Sequence, residues 1–128
     1  MFFSADAIVL HLFGDYITQT DKMAKTKTAS WLWAIIHAIV YTLPFMLLTM
    51  SLPALLIIFA SHAVIDRYRL VRYLIFAKNW VSDRGMKWSE CSGTGFHSSA
   101  PPWLAFWLMI IVDNTCHIII NQLCINLL

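Results

Sequence analysis

Three pairs of histidine and aspartate share one spacing: His11 and Asp15 in HLFGD, His62 and Asp66 in HAVID, and Asp113 and His117 in DNTCH. Residues four apart lie one turn apart on one face of an α-helix, so each pair presents an imidazole and a carboxylate together. With five His and six Asp in 128 residues, random placement gives about 0.5 such pairs, and three arise about one time in a hundred. A mixed nitrogen and oxygen donor set suits Zn²⁺, Mn²⁺ or Fe²⁺, and Mg²⁺ is also compatible with it. His11, Asp15, His62, Asp66, Asp113 and His117 are therefore the candidate metal ligands. His37 is a further ligand or general base, and with Asp66 it is the candidate catalytic group. The same pattern serves equally as hydrogen-bonded glue between helices, and the spacing leaves both readings open.

The elements that must carry these residues are apolar. The chain is 59% hydrophobic, 14% aromatic and only 12% charged, with a mean hydropathy of +0.67. A soluble domain carries about a quarter charged residues, so this composition excludes a disordered chain and points to an integral membrane protein. Four apolar stretches, about 2–20, 31–51, 53–78 and 102–127, meet or approach the roughly 20 residues a spanning helix needs. The expected fold is all-α: a single polytopic domain over 1–128, built as a four-helix transmembrane bundle. The loop 79–101 is rich in Gly, Ser and Pro and is expected to be irregular or mobile. The first stretch, interrupted by Asp6, His11 and Asp15, also fits a half-inserted amphipathic helix. Three cysteines without C-x-x-C spacing imply neither a disulfide framework nor a zinc finger. MFFSADAIVLHLFGD has no positive n-region and reads as a retained segment.

Charge sets the orientation. Lys22, Lys25 and Lys27 follow the first stretch, and Arg67, Arg69, Arg72, Lys78, Arg84 and Lys87 follow the middle of the third. In a four-span protein these two groups share a side, which the positive-inside rule makes the cytoplasm, leaving both termini outside. Each Asp of a pair then lies nearer the cytoplasm than its His, a two-tier arrangement with carboxylates below imidazoles. An Asp at the bilayer centre costs about 2.5–3.5 kcal/mol, so these carboxylates must face inward, meet a cation or become neutral. Arg67, Arg69 and Arg72 also offer contacts to anionic lipid headgroups. His97 and Cys91 lie in the 79–101 loop, where they are solvated or complete a site. The basic residues flank apolar segments without forming a groove-reading motif, so nucleic acid is not an expected partner.

HLFGDYITQTDKMAKTK, HAIVYTLPF, SHAVIDRYRLVRYLIFAKN and VDNTCHIIIN together resemble the domain-of-unknown-function family 3307, small integral membrane proteins of bacteria and their phages. The resemblance covers about residues 8 to 80 and 101 to 122 and not the intervening loop. It implies a compact polytopic helical protein with His11, Asp15, His37, His62, Asp66, Asp113 and His117 as signature residues. More loosely, the pattern is similar to predicted membrane-bound metal-dependent hydrolases, an analogy that does not establish function.

The first functional expectation is a metal-dependent hydrolase at the cytoplasmic face of a bacterial inner membrane, acting on a phosphoester or lipid-linked substrate. The alternatives are a proton or metal-ion relay, which in so narrow a bundle needs a homo-oligomer to form a pore, and a non-enzymatic membrane interaction protein with a structural His/Asp layer.

Overall fold

The computed structural model describes residues 4–128 and is helical, with no strand among the described residues. Among the described residues seven α-helices follow in order: α1 (Ala5–Leu12), α2 (Asp21–Thr26), α3 (Trp31–Thr42), α4 (Leu52–Tyr68), α5 (Val71–Ser82), α6 (Trp88–Cys91) and α7 (Pro102–Leu127). A π-helical turn, Phe13–Ile17, continues α1, and a 3₁₀ turn, Leu43–Leu47, ends α3. The chain divides into two compact units, residues 4–68 with 117–128, and residues 69–116.

Local chemistry sets the boundaries. Thr20 caps α2 by accepting a bond from the Met23 amide at 3.3 Å, which satisfies one of the donors left open at a helix start. Pro44 lacks an amide hydrogen and falls where α3 tightens into its 3₁₀ turn. Pro53 stands at the start of α4, where its missing donor is of no consequence. The apolar stretch 53–78, expected as one helix, is two. Arg69 adopts φ of 50°, a left-handed conformation rare for a residue with a side chain, and it interrupts the helical bonding between Tyr68 and Val71. The short helix α2 was not legible as an element among the lysines. Helix α7, of 26 residues, matches the expected stretch 102–127 and is long and apolar enough to cross a membrane.

In the first unit, Tyr41, Phe45, Ala54, Ile58 and Cys124 form a buried cluster, covered by Leu10, Leu55, Ile120 and Ile125. Ala7, Ala34, Ala38 and Ala63 are also buried, and small residues of this kind let helix backbones approach closely. Gly14 takes this furthest, because a Cβ there would lie 2.7 Å from Tyr41 Cδ2 and 3.2 Å from the Tyr41 carbonyl oxygen.

In the second unit, Val71, Ile75 and Met109 form the core with Phe96, Val112 and Cys116 against them. The 79–101 segment is largely irregular after α5, as expected, apart from α6, and it packs onto α5. Arg72 Nη1 donates to the Ser92 carbonyl at 3.1 Å, Asn79 Nδ2 donates to the Gly95 carbonyl at 3.2 Å, and Trp88 stacks on Tyr73 at 4.7 Å. Gly95 has φ of 86°, and a Cβ there would come within 2.3 Å of the Arg72 carbonyl oxygen. Glycine is required on both counts.

The Gly14 contact gives a direct test of this packing. Gly14→Ala is expected to destabilise the protein by about 1–3 kcal/mol, the range for overpacking a filled core. The readout is a lower unfolding midpoint in detergent. An unchanged midpoint would show that Tyr41 can yield, contrary to the packing described.

Candidate metal centre

Four side chains from three segments converge in the first unit. The π-helical turn supplies Asp15, α3 supplies His37, and α4 supplies His62 and Asp66. All four are buried. A π turn replaces the i to i+4 bond by an i to i+5 bond, here from Thr18 N to the Phe13 carbonyl at 3.1 Å. Such turns recur at functional sites because they re-aim one side chain. Asp15 consequently lies closer to His37 and His62 on neighbouring helices than to His11 on its own.

The distances are those of a coordination shell. His62 Nε2 and His37 Nε2 are 3.0 Å apart. His37 Nε2 lies 3.2 Å from Asp15 Oδ1 and 3.3 Å from Asp66 Oδ2. His62 Nε2 lies 3.4 Å from Asp15 Oδ1 and 3.3 Å from Asp66 Oδ2. The ligand atoms of the four residues all fall within 4.8 Å of one another. An ion bound tetrahedrally at 2.0–2.1 Å has ligands about 3.3–3.4 Å apart; four of these five distances lie within about 0.2 Å of that spacing, and the His37–His62 distance is shorter.

Hydrogen bonding alone does not account for this convergence. An imidazole nitrogen offers either one hydrogen or one lone pair. His37 Nε2 nevertheless has four polar neighbours within 3.3 Å: Asp15 Oδ1, Asp66 Oδ2, His62 Nε2 and Lys27 Nζ. Two imidazoles and two carboxylates meeting at one point form a donor set suited to a borderline divalent cation.

A second layer holds the first. Asn121 Nδ2 donates to Tyr41 Oη at 2.6 Å, and the same phenol is hydrogen-bonded to His11 Nδ1 at 2.7 Å. His11 Nε2 lies 3.7 Å from Asp15 Oδ2. His117 Nε2 is 3.3 Å from Asp66 Oδ1, and its Nδ1 is 3.3 Å from His62 Nδ1. The Tyr41 ring stacks on His62 with centroids 3.6 Å apart and planes within 9°. Supporting groups of this kind orient ligands and fix their tautomers.

Of the residues singled out by spacing, Asp15, His37, His62 and Asp66 thus make the inner group, and His11 and His117 buttress it. The carboxylates and imidazoles mix at one level instead of forming two tiers, because contacts run between helices more than along them. Asp113 falls in the second unit, half-buried on α7 four residues before His117. His97 also lies in the second unit, its Nδ1 2.8 Å from Ser99 Oγ and its Nε2 3.6 Å from Glu90 Oε2. Cys91 is buried there, and that burial pushes its thiol pKa up.

Lys27 is the residue that sequence reasoning missed. Its ammonium donates to Asp66 Oδ2 at 2.6 Å. The expectation that buried carboxylates meet a cation was the only signal, and nothing in TDKMAKTK distinguishes Lys27 from Lys22 or Lys25. Arg67 is also used internally, its Nη1 donating to the Thr28 carbonyl.

The fold and site define an all-helical protein with a buried His/Asp centre able to hold a metal ion. The chain matches the model of the protein family of unknown function DUF3307 over residues 4–121, and it belongs to that family. No curated protein and no solved structure matches it.

The Tyr41 phenol is the keystone of the supporting layer. Tyr41→Phe keeps the ring on His62 but removes a buried bond from both Asn121 and His11, at an expected cost of about 1–3 kcal/mol. Chemical unfolding in detergent against wild type reads this directly. A variant as stable as wild type would show that the phenol bonds contribute little.

Proposed function

We propose that the protein is a membrane-embedded metal-dependent hydrolase whose Asp15, His37, His62 and Asp66 hold a divalent transition-metal ion, Zn²⁺ foremost. The observation that carries this reading is the convergence of two imidazole nitrogens and two carboxylate oxygens, all within 4.8 Å of one another, in a buried site. A catalytic ion keeps a position open to water; with a fifth position open beside these four donors, such an ion would lower the pKa of its water toward about 7 and polarise a phosphoryl oxygen. His11 and His117 keep Asp15 and Asp66 oriented, and Tyr41 holds the His62 ring in plane. Burial of all these groups strengthens every electrostatic contact made at the centre. The substrate class we favour is a phosphoester, soluble or lipid-linked, approaching from the cytoplasmic side where the lysines after the first apolar stretch lie.

Membrane embedding rests on the length and apolarity of α7, on the segregation of basic residues into two stretches, and on the apolar surface. Ile17, Leu47, Leu52, Met50 and Trp103 are each at least 65% exposed, and a soluble monomer rarely shows so much large apolar surface. We place both termini outside the cytoplasm in a bacterial inner membrane, with four crossings. Single cysteines at Ser4 and Lys25, introduced without the native cysteines, are expected to label from opposite faces of the membrane. Labelling of both from one side would reject the four-span arrangement.

A proton relay is the second reading, favoured by the contact line from Asn121 through Tyr41 and His11 toward Asp15. Metal content separates the two. Elemental analysis of the detergent-purified protein is expected to find about one equivalent of a transition metal, as for a single-ion site. His62→Ala and Asp66→Asn should lose it while circular dichroism shows retained helix. A folded wild type that carries no metal after incubation with Zn²⁺, Mn²⁺ or Fe²⁺ would leave the relay as the better account.

A further inference from the structure

Lys27 does more at the centre than neutralise a carboxylate. Its Nζ stands 2.6 Å from Asp66 Oδ2 and 3.3 Å from His37 Nε2, so it caps the edge that these two ligands share. Its side chain is 18% exposed, against 5% for Asp66 and 0% for His37. The ammonium is thus more open to the outside than the donor atoms beneath it.

The backbone around Lys27 is fixed for this purpose. The Lys27 amide donates to the Met23 carbonyl at 2.9 Å and closes α2. The next residue, Thr28, is gripped at its carbonyl by Arg67 Nη1. Arg67 in turn lies beside the Trp31 and Tyr68 rings, its guanidinium carbon 5.8 Å and 5.5 Å from their centroids. Two consecutive residues of α4, Asp66 and Arg67, therefore hold two consecutive residues of the α2–α3 turn, Lys27 and Thr28.

Charge arithmetic gives this arrangement a purpose. With neutral imidazoles, two carboxylates and one ammonium carry a net charge of about −1, and a divalent ion would bring the centre to about +1. A buried centre with excess positive charge attracts an anion. The most exposed cationic group that such an anion meets at this edge is the Lys27 ammonium, a compact charge with three donors suited to phosphoryl oxygens.

We propose that Lys27 is the anion-binding residue of the metal-loaded centre, and that the ligand it takes there is a phosphate group. The proposal rests on the metal reading above. It assigns Lys27 the role of binding the phosphoryl oxygens of the substrate, in place of the paired contact with Asp66.

Cobalt substitution tests it without any assay of activity. The detergent-solubilised full chain is loaded with Co²⁺, whose visible absorption bands report its ligands, and titrated with inorganic phosphate. Wild-type bands are expected to shift with phosphate. Lys27→Met should bind Co²⁺ with the same stoichiometry but require at least about tenfold more phosphate, the effect of losing one charge-assisted contact. Lys27→Arg should recover most of the affinity. Should Lys27→Met fail to fold, Lys27→Gln carries the same comparison.

A second arm places the protein in nanodiscs of phosphatidylcholine with or without phosphatidic acid. A shift with phosphatidic acid alone assigns the site to a lipid headgroup, whereas a shift only with free phosphate assigns it to a soluble phosphoester. Equal phosphate affinity in wild type and Lys27→Met, or wild-type bands indifferent to both phosphate sources, would overturn the proposal. Loss of Co²⁺ from every Lys27 variant would overturn it in favour of a structural counter-ion. A wild type that shows no cobalt bands at all removes the metal reading itself, and the role of Lys27 with it.

Discussion

Two carboxylates, Asp15 and Asp66, are buried within a few ångströms of each other in an apolar helical unit, and the rest of the structure answers to that constraint. Burying one unpaired ion costs several kcal/mol even after relaxation, and two like charges at this distance add repulsion. Three imidazoles and one ammonium lie within 3.4 Å of these carboxylates. Their placement dictates where the helices run. α3 must bring His37 to the point where α4 brings His62 and Asp66, and the Lys27 turn must fold back over both. The apolar cluster around Phe45 and Ile58 supplies cohesion, but it specifies neither the rotation of each helix nor the register between them. The polar centre does both.

The supporting layer shows how neutral groups finish what charges begin. The line from Asn121 through Tyr41 to His11 satisfies buried polar groups on three helices with one phenol. Gly14 belongs to the same construction. It lets the chain beside Asp15 lie against the backbone of Tyr41, so the carboxylate and the phenol that supports it share one close contact between α3 and the turn that follows α1.

Much of the centre was legible because helical spacing is a strong signal. His62 and Asp66 sit on one face of α4 as four-residue spacing requires, and α7 begins and ends where its apolar stretch does. What escaped notice depended on irregular backbone. The π-helical turn at Phe13–Ile17 has no composition cue, yet it carries the Asp15 that reaches His37 as well as His11. The left-handed Arg69 cuts one long apolar stretch into two helices that belong to different units, and hydropathy cannot see a single backbone angle. Segment 79–101 reads as loop by its Gly, Ser and Pro content, but the Arg72 and Asn79 side chains that bind its carbonyls lie outside or at the very start of it. Lys27 escaped for the opposite reason, since a lysine near the end of an apolar stretch is already explained by membrane orientation.

The position of the four donors along the chain bears on biosynthesis. Asp15, Lys27, His37, His62, Asp66 and Arg67 all precede α7 in the chain. Every inner donor is therefore synthesised before α7. Only the buttresses His117 and Asn121 arrive with the last helix. The four donors could then meet before α7 packs, and the last helix would close over a centre whose inner side chains are already assembled.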